Sequence, residues 1–156
     1  MKVCWRWALL ASALAGLAAA GCGGQKQEGT AKEAQGGGTP PVSKYDRGPR
    51  AFASPMDDSR AAQGEQLFQK KGCSACHAFG RKLNCPDLKG VTGRRTAEWM
   101  ENQILHPEIM IKEDPISRQL FTQFALQMPN QGLTQEEARA VIEFFKKKDR
   151  EPAAAR

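Results

Sequence analysis

The chain has 156 residues, of which 40% are hydrophobic and 26% are charged, enough for one ordinary domain with additional segments. The longest run of apolar or small residues, from Ala8 to Ala20, has 13 residues. A transmembrane helix needs about 20, so a spanning helix is not expected. The formal net charge is +6, but from Asp57 onward 16 basic residues are interspersed with 14 acidic ones. This near balance argues against nucleic acid as a partner.

Residues 1–21 have the layout of a secretory signal peptide, with basic residues before the apolar run and small residues after it. The stretch from Leu17 to Cys22 resembles a bacterial lipobox, in which cleavage precedes a cysteine that then receives a diacylglycerol. We therefore expect a lipid anchor at Cys22 on the periplasmic side of a bacterial membrane. Ordinary cleavage near Ala20 and an uncleaved anchor are the alternatives.

Residues 22–56 are rich in Gly and Pro, and Val42, Tyr45 and Phe52 are almost the only side chains there that could form a core. Such a composition predicts a flexible tether rather than a domain. The folded domain is then expected over 57–150, with a disordered tail at 151–156.

The chemistry is concentrated in a CXXCH pentapeptide made by Cys73, Cys76 and His77. Two thiols three positions apart can add to the two vinyl groups of one haem, and the adjacent histidine then reaches the iron. A structural disulfide, a dithiol redox motif and a zinc site with Cys85 and His106 are the competing interpretations. A dithiol redox motif is expected beside strands, which the sequence does not predict here. A zinc site usually includes a second closely spaced cysteine pair, which this chain lacks. The pentapeptide therefore predicts one covalent haem c.

Cys85 is the cysteine left over once Cys4 leaves with the signal, Cys22 takes lipid and the pentapeptide takes haem. A buried and inert thiol is the favoured interpretation, because free cysteine behaves as a small hydrophobe. Intermolecular pairing in an oxidising compartment is the alternative.

Four side chains after the pentapeptide could bind the iron opposite His77, namely Met100, His106, Met110 and Met128. Met100 falls in a helix predicted over 95–105, where an apolar residue is expected to pack. His106 precedes a proline that ends this helix, and Met110 lies in a short apolar stretch. Met128 alone is followed by a proline and a helix start, and it is the predicted ligand.

Three helix starts are predicted from capping residues. Thr96 begins the helix that contains Met100, and Asp114 followed by Pro115 begins another. Thr134 and Glu137 form a capping box at the start of a terminal helix, whose apolar face is Ala138, Val141, Ile142 and Phe145.

From about Ser59 to Lys148 the chain resembles class I cytochrome c. The resemblance is carried by Gly64 to Phe68, by the pentapeptide, by the loop from Pro86 to Arg94, and by Met128-Pro129-Asn130. It implies an all-α fold of four to five helices around one covalently bound haem. It also implies Met128 as the sixth ligand.

The same resemblance assigns roles to neighbouring residues. The carbonyl of Pro86 is expected to accept a hydrogen bond from His77, and Arg94 is expected near a haem propionate. Phe144, or its neighbour Phe145, is expected to pack on the first helix. The family commonly has glycine where this chain has Cys85, so strain is expected there if that position requires a positive φ.

No acid–base or nucleophile–base set accompanies the haem motif, so an electron carrier is predicted rather than an enzyme. The expected partners are redox proteins of the bacterial envelope, and the chain is expected to be monomeric. A basic rim for acidic partners, or a merely solvated surface, is formed by Lys70, Lys71, Arg81 and Lys82. A permanently docked subunit of an oxidase or reductase and a haem-based gas sensor are the alternative functions.

Overall fold

The computed structural model describes residues 42–152. Within this range the chain forms six α-helices and no β-strand: α1 (Asp58–Lys70), α2 (Val91–Arg94), α3 (Ala97–Leu105), α4 (Pro107–Glu113), α5 (Pro115–Phe124) and α6 (Gln135–Arg150). Short 3-10 turns lie at Ala51–Ala53 and Cys73–Ala75. The predicted all-α class is confirmed. The structure has six helices over residues 42–152 where four to five were predicted. The difference lies in the short helices, since α2 and α4 have only 4 and 7 residues.

The three predicted helix starts are confirmed. The side chains of Thr96, Asp114 and Thr134 each accept a hydrogen bond from the backbone N–H three residues further on. This bond satisfies one of the donors that a helix leaves free in its first turn. The backbone N–H of Thr134 also donates to the carboxylate of Glu137, and this reciprocal bond completes the capping box.

The first and last long helices, α1 and α6, cross in direct backbone contact at Gly64. A Cβ atom on Gly64 would lie 2.0 Å from the carbonyl oxygen of Ala140, so only glycine fits at this crossing. Beside it, the ring of Phe68 packs against both Phe144 and Phe145, with centroid separations of 5.4 and 6.0 Å. Both candidate aromatics of α6 therefore contact the first helix.

The segment 43–56, assigned to the tether by its composition, packs against the helices. The carboxylate of Asp46 accepts a hydrogen bond from the backbone N–H of Thr96 at 2.7 Å. Ala51 is buried, and its N–H donates to the carbonyl of Arg95 at 3.1 Å. The structure thus differs from the boundary predicted at residue 56, because polar contacts that composition does not reveal hold this segment.

The carboxyl-terminal side of this segment is held by a buried ion pair on α6. Lys146, only 4% exposed, lies 2.7 Å from Glu143 and also donates to the carbonyl of Pro55 at 3.1 Å. A buried ammonium needs both a counter-charge and hydrogen-bond acceptors, and these two partners supply them.

The signal peptide predicted over 1–21, the lipid acceptor Cys22 and the first part of the tether lie outside the described residues, as does most of the tail at 151–156. Across 42–152, every helix is too short or too polar to cross a membrane.

Candidate haem site

A largely apolar cavity of about 240 Å³ opens between the helices. Its wall is built from one residue of α1, the pentapeptide, the loop after it, helices α2 to α6, and the loop before α6. Among the lining residues are Cys73, His77, Pro86, Arg94 and Met128. The predicted site residues, far apart in the chain, are therefore brought to one cavity, with Cys76 in the turn beside it.

The imidazole of His77 is fixed by the loop opposite. Its Nδ1 lies 2.9 Å from the carbonyl oxygen of Pro86, the contact that the family resemblance implies. A carbonyl only accepts, so Nδ1 carries the proton and donates it, which leaves the lone pair on Nε2. Burial lowers the pKa of His77 and outweighs the opposing effect of the Pro86 hydrogen bond. The neutral ring, the form that binds a metal, is thereby favoured.

The two pentapeptide cysteines lie on one tight turn. The backbone N–H groups of Cys76 and His77 both donate to the carbonyl of Cys73, at 3.2 and 3.0 Å. Gly72 enters this turn with a φ of 74°, a conformation that glycine adopts without strain. Both thiols are free and half-buried, and burial raises the pKa of Cys73.

Cys85 is buried at the cavity wall with a free thiol. Burial, and then the proximity of Cys76, raises the pKa of Cys85, so the protonated thiol is favoured. Among residues 42–152 the only non-glycine residue with positive φ is Ala125. The position of Cys85 therefore does not require a positive φ, and the conditional expectation of strain there does not apply.

The four candidates for the sixth ligand differ in whether they line the cavity. Met110 is 1% exposed in the core and His106 is exposed at the end of α3, and neither contributes to the cavity wall. Met128 and Met100 both do. Met100 is embedded in the core of α3 and 2% exposed, whereas Met128 is half-buried on the loop between α5 and α6.

Arg94 lies at the edge of the cavity, where it braces the loop around Pro86. Its guanidinium donates to the carbonyls of Lys89 and Asp87, at 2.6 and 3.1 Å. A guanidinium has five N–H donors, so several remain for an anionic group.

The basic residues predicted to form a rim have unequal surroundings. Lys70 and Arg81 are exposed. Lys71 donates to the carbonyls of Gln131 and Gly132 in the loop before α6, at 3.4 and 3.3 Å. Lys82 lies over the ring of Phe124 at 4.7 Å, within the range of a cation–π interaction.

Three polar side chains that were not predicted from the sequence lie together on the cavity side of α3, namely Trp99, Gln103 and, from α5, Ser117. A signal for this group exists. Gln103 stands one helical turn after Trp99 in the stripe that also contains Met100 and Ile104, and a polar residue in an apolar stripe is expected to have a specific partner.

The residues present fit a covalently bound haem. The cavity is apolar enough for a porphyrin, two free thiols share a turn at its edge, and an imidazole presents an unprotonated Nε2. A thioether lies elsewhere on the same wall. Imidazole and thioether are both ligands of haem iron.

The family model described as cytochrome c matches residues 61–148. Cytochrome c from Rhodothermus marinus is 35% identical over 61% of this chain and 81% of that chain, with a TM-score of 0.59. An engineered cytochrome c from Rhodothermus marinus, Rma TDE, is 32% identical over 64% of this chain and 85% of that one, with a TM-score of 0.60. No curated protein matches the chain.

A six-helix domain with a CXXCH turn at an apolar cavity defines a c-type haem protein. With the family match over residues 61–148, the chain belongs to the cytochrome c family, as a class I monohaem member. It is accordingly an electron-transfer haem protein.

Proposed function

We propose that this chain is a lipid-tethered electron carrier of the bacterial envelope, with its haem held by Cys73 and Cys76 and its iron bound by His77 and Met128. The observation that carries the proposal is the hydrogen bond between Nδ1 of His77 and the carbonyl of Pro86 at the cavity wall. It directs the other ring nitrogen to a metal and matches the contact typical of a metal-bound histidine.

When bound, the haem supplies one-electron exchange at its iron. The protein residues set the protonation of His77, the polarity around the haem and the ligands of the iron. The carbonyl of Pro86 retains the proton on Nδ1 of His77, and the mostly apolar wall would surround the haem with side chains of low polarity. A thioether from Met128 is a soft ligand that favours a higher potential than a second histidine would. If His77 and Met128 both bound the iron, no protein-free position would remain there for a substrate, which supports electron transfer over substrate conversion.

Redox proteins with acidic surfaces are the proposed partners, since Lys70 and Arg81 are exposed close to the pentapeptide. The proposed anchor is Cys22, supported by the lipobox-like sequence before it. This anchor confines the carrier to partners at the same membrane.

The ligand assignment is tested by Met128→Ala in the haem-loaded protein. The sulfur-to-iron charge-transfer band of the ferric form should disappear, and the reduced form should gain carbon monoxide binding, while helix content is retained. Haem should remain after extraction with acidified acetone, because thioether bonds survive that treatment.

Two methionines serve as matched controls for this variant. Met110→Leu and Met100→Leu conserve volume in the core, which usually costs under about 1.5 kcal/mol. Both should keep the band. Loss of the band in Met100→Leu together with its persistence in Met128→Ala would show that α3 supplies the sixth ligand instead.

A further inference from the structure

A chain of hydrogen bonds connects a buried carboxylate to the sulfur of Met128. Asp114 is completely buried, and its Oδ1 accepts hydrogen bonds from the backbone N–H of Ser117 at 2.8 Å and from Nε1 of Trp99 at 3.1 Å. The hydroxyl of Ser117 lies 2.6 Å from Oε1 of Gln103. Nε2 of Gln103 in turn lies 4.0 Å from Sδ of Met128.

The direction of these bonds follows from counting donors and acceptors. Oδ1 of Asp114 already accepts two N–H donors, which fill its two lone pairs. The Ser117 hydroxyl lies farther from this oxygen, at 3.1 Å, than from Gln103. Its proton is therefore donated to Oε1 of Gln103, and this fixes the orientation of the side-chain amide. The NH₂ group of Gln103 must then face Met128.

We propose that Gln103 is a positioning residue for Met128, and that Ser117 and Asp114 hold its amide in the donating orientation. The inference rests on the proposed role of Met128 as a ligand. A thioether sulfur has two lone pairs. An N–H donor directed at one of them orients the other, so that the side chain enters the cavity ready to bind the iron.

The positions of Gln103 and Ser117 on helices explain why they can orient Met128. Met128 lies on a loop that is not part of any helix, whereas Gln103 and Ser117 belong to α3 and α5. Side chains on helices are held more precisely than those on loops. Asp114 also caps α5, so the same carboxylate fixes the helix start and, through Ser117, the glutamine amide.

The experiment is an imidazole titration of the ferric, haem-loaded protein, because imidazole competes with Met128 for the iron. Gln103→Leu removes the donor at nearly constant size and should tighten imidazole binding by about three- to tenfold, the range expected for one hydrogen bond. Ser117→Ala should shift binding in the same direction by a smaller factor. Gln119→Leu, an exposed glutamine of α5, is the matched control and should change nothing.

The double variant of Gln103→Leu and Ser117→Ala separates positioning from general loosening of the fold. If Ser117 acts through Gln103, the double variant should bind imidazole no more tightly than Gln103→Leu alone. Additive effects, or an unchanged affinity in Gln103→Leu, would overturn the inference while leaving Met128 as the ligand. Should Gln103→Leu fail to fold, an unchanged affinity in Ser117→Ala would overturn it equally. Persistence of the charge-transfer band in Met128→Ala would instead overturn the ligand assignment, and the role of Gln103 with it.

Discussion

The carboxylate of Asp149 accepts two hydrogen bonds from Thr92, one from its backbone N–H at 2.9 Å and one from its hydroxyl at 2.6 Å. Thr92 is completely buried, and the N–H of Gly90 also donates to Asp149, at 2.5 Å. The last turn of α6 therefore fixes the start of α2. The loop that contains Pro86 ends where α2 begins. Because Pro86 orients the ring of His77, Asp149 supports that orientation from the far end of the loop.

Asp149→Ala should lower the free energy of unfolding by about 2–4 kcal/mol, because it leaves buried donors at Thr92 without an acceptor. Denaturant unfolding of the haem-loaded protein measures the change. Glu65→Ala is the control. It removes an exposed ion pair with Lys147 on the other side of α6, and such a pair contributes about 0–1 kcal/mol. Equal effects in the two variants would contradict the role of Asp149 in holding the start of α2.

Gly64→Ala should destabilise the domain strongly, by about 3 kcal/mol or more, because its Cβ would overlap the Ala140 carbonyl and force α1 away from α6. Thermal unfolding followed by circular dichroism provides the measurement. Gly93→Ala serves as the comparison, since a Cβ on Gly93 meets no atom within 4 Å. A melting temperature for Gly64→Ala equal to that of Gly93→Ala would show that the helices do not cross this closely.

The carboxylate of Glu137 in the capping box should make the free energy of unfolding depend on pH. The backbone N–H of Thr134 donates to this carboxylate at 2.8 Å and lowers the pKa of Glu137 below its ordinary value of 4.5. A lowered pKa in the folded state stabilises the protein above 4.5, and this contribution is lost as the pH falls through the folded value. Wild type should therefore melt higher than Glu137→Gln at neutral pH, and the difference should vanish in acid. A difference that stays constant across this range would contradict the assignment.

Cys22→Ser should transfer the protein from the membrane fraction to the soluble fraction of the producing cells. The physical reason is that lasting attachment requires acyl chains, and serine cannot receive them through a thioether. Fractionation followed by immunodetection shows the distribution, and Cys4→Ser, within the predicted signal, is the control that should remain membrane-bound. Mass spectrometry that finds an unmodified amino terminus at Cys22 or Gly23 in the wild type would refute lipidation.

Local signals in the sequence predicted the local parts of this structure. Thr96, Asp114 and Thr134 cap helices through bonds that span only three residues, so their positions can be read without knowing the fold. The CXXCH turn is equally local, since five consecutive residues define it.

Contacts between segments far apart in the chain could not be predicted from such local signals. Asp46 bonds to Thr96 fifty residues later, and nothing in the composition around Asp46 distinguishes it from a solvated tether residue. The link from Asp114 through Ser117 to Gln103 likewise depends on how α3 packs beside α5, which no single segment determines. The relation of His77 to Pro86 was anticipated only through the family resemblance, for the same reason.

The guanidinium of Arg150, the last residue of α6, donates to the carbonyls of Phe52 and Ser54 at 3.3 and 3.2 Å. The segment 43–56 is therefore tied to the start of α3 through Asp46 and to the end of α6 through Phe52 and Ser54. A haem module cut at residue 56 would lose these contacts, and the buried ammonium of Lys146 would lose the carbonyl of Pro55 as an acceptor. A module intended to fold by itself should therefore include residues 43–56.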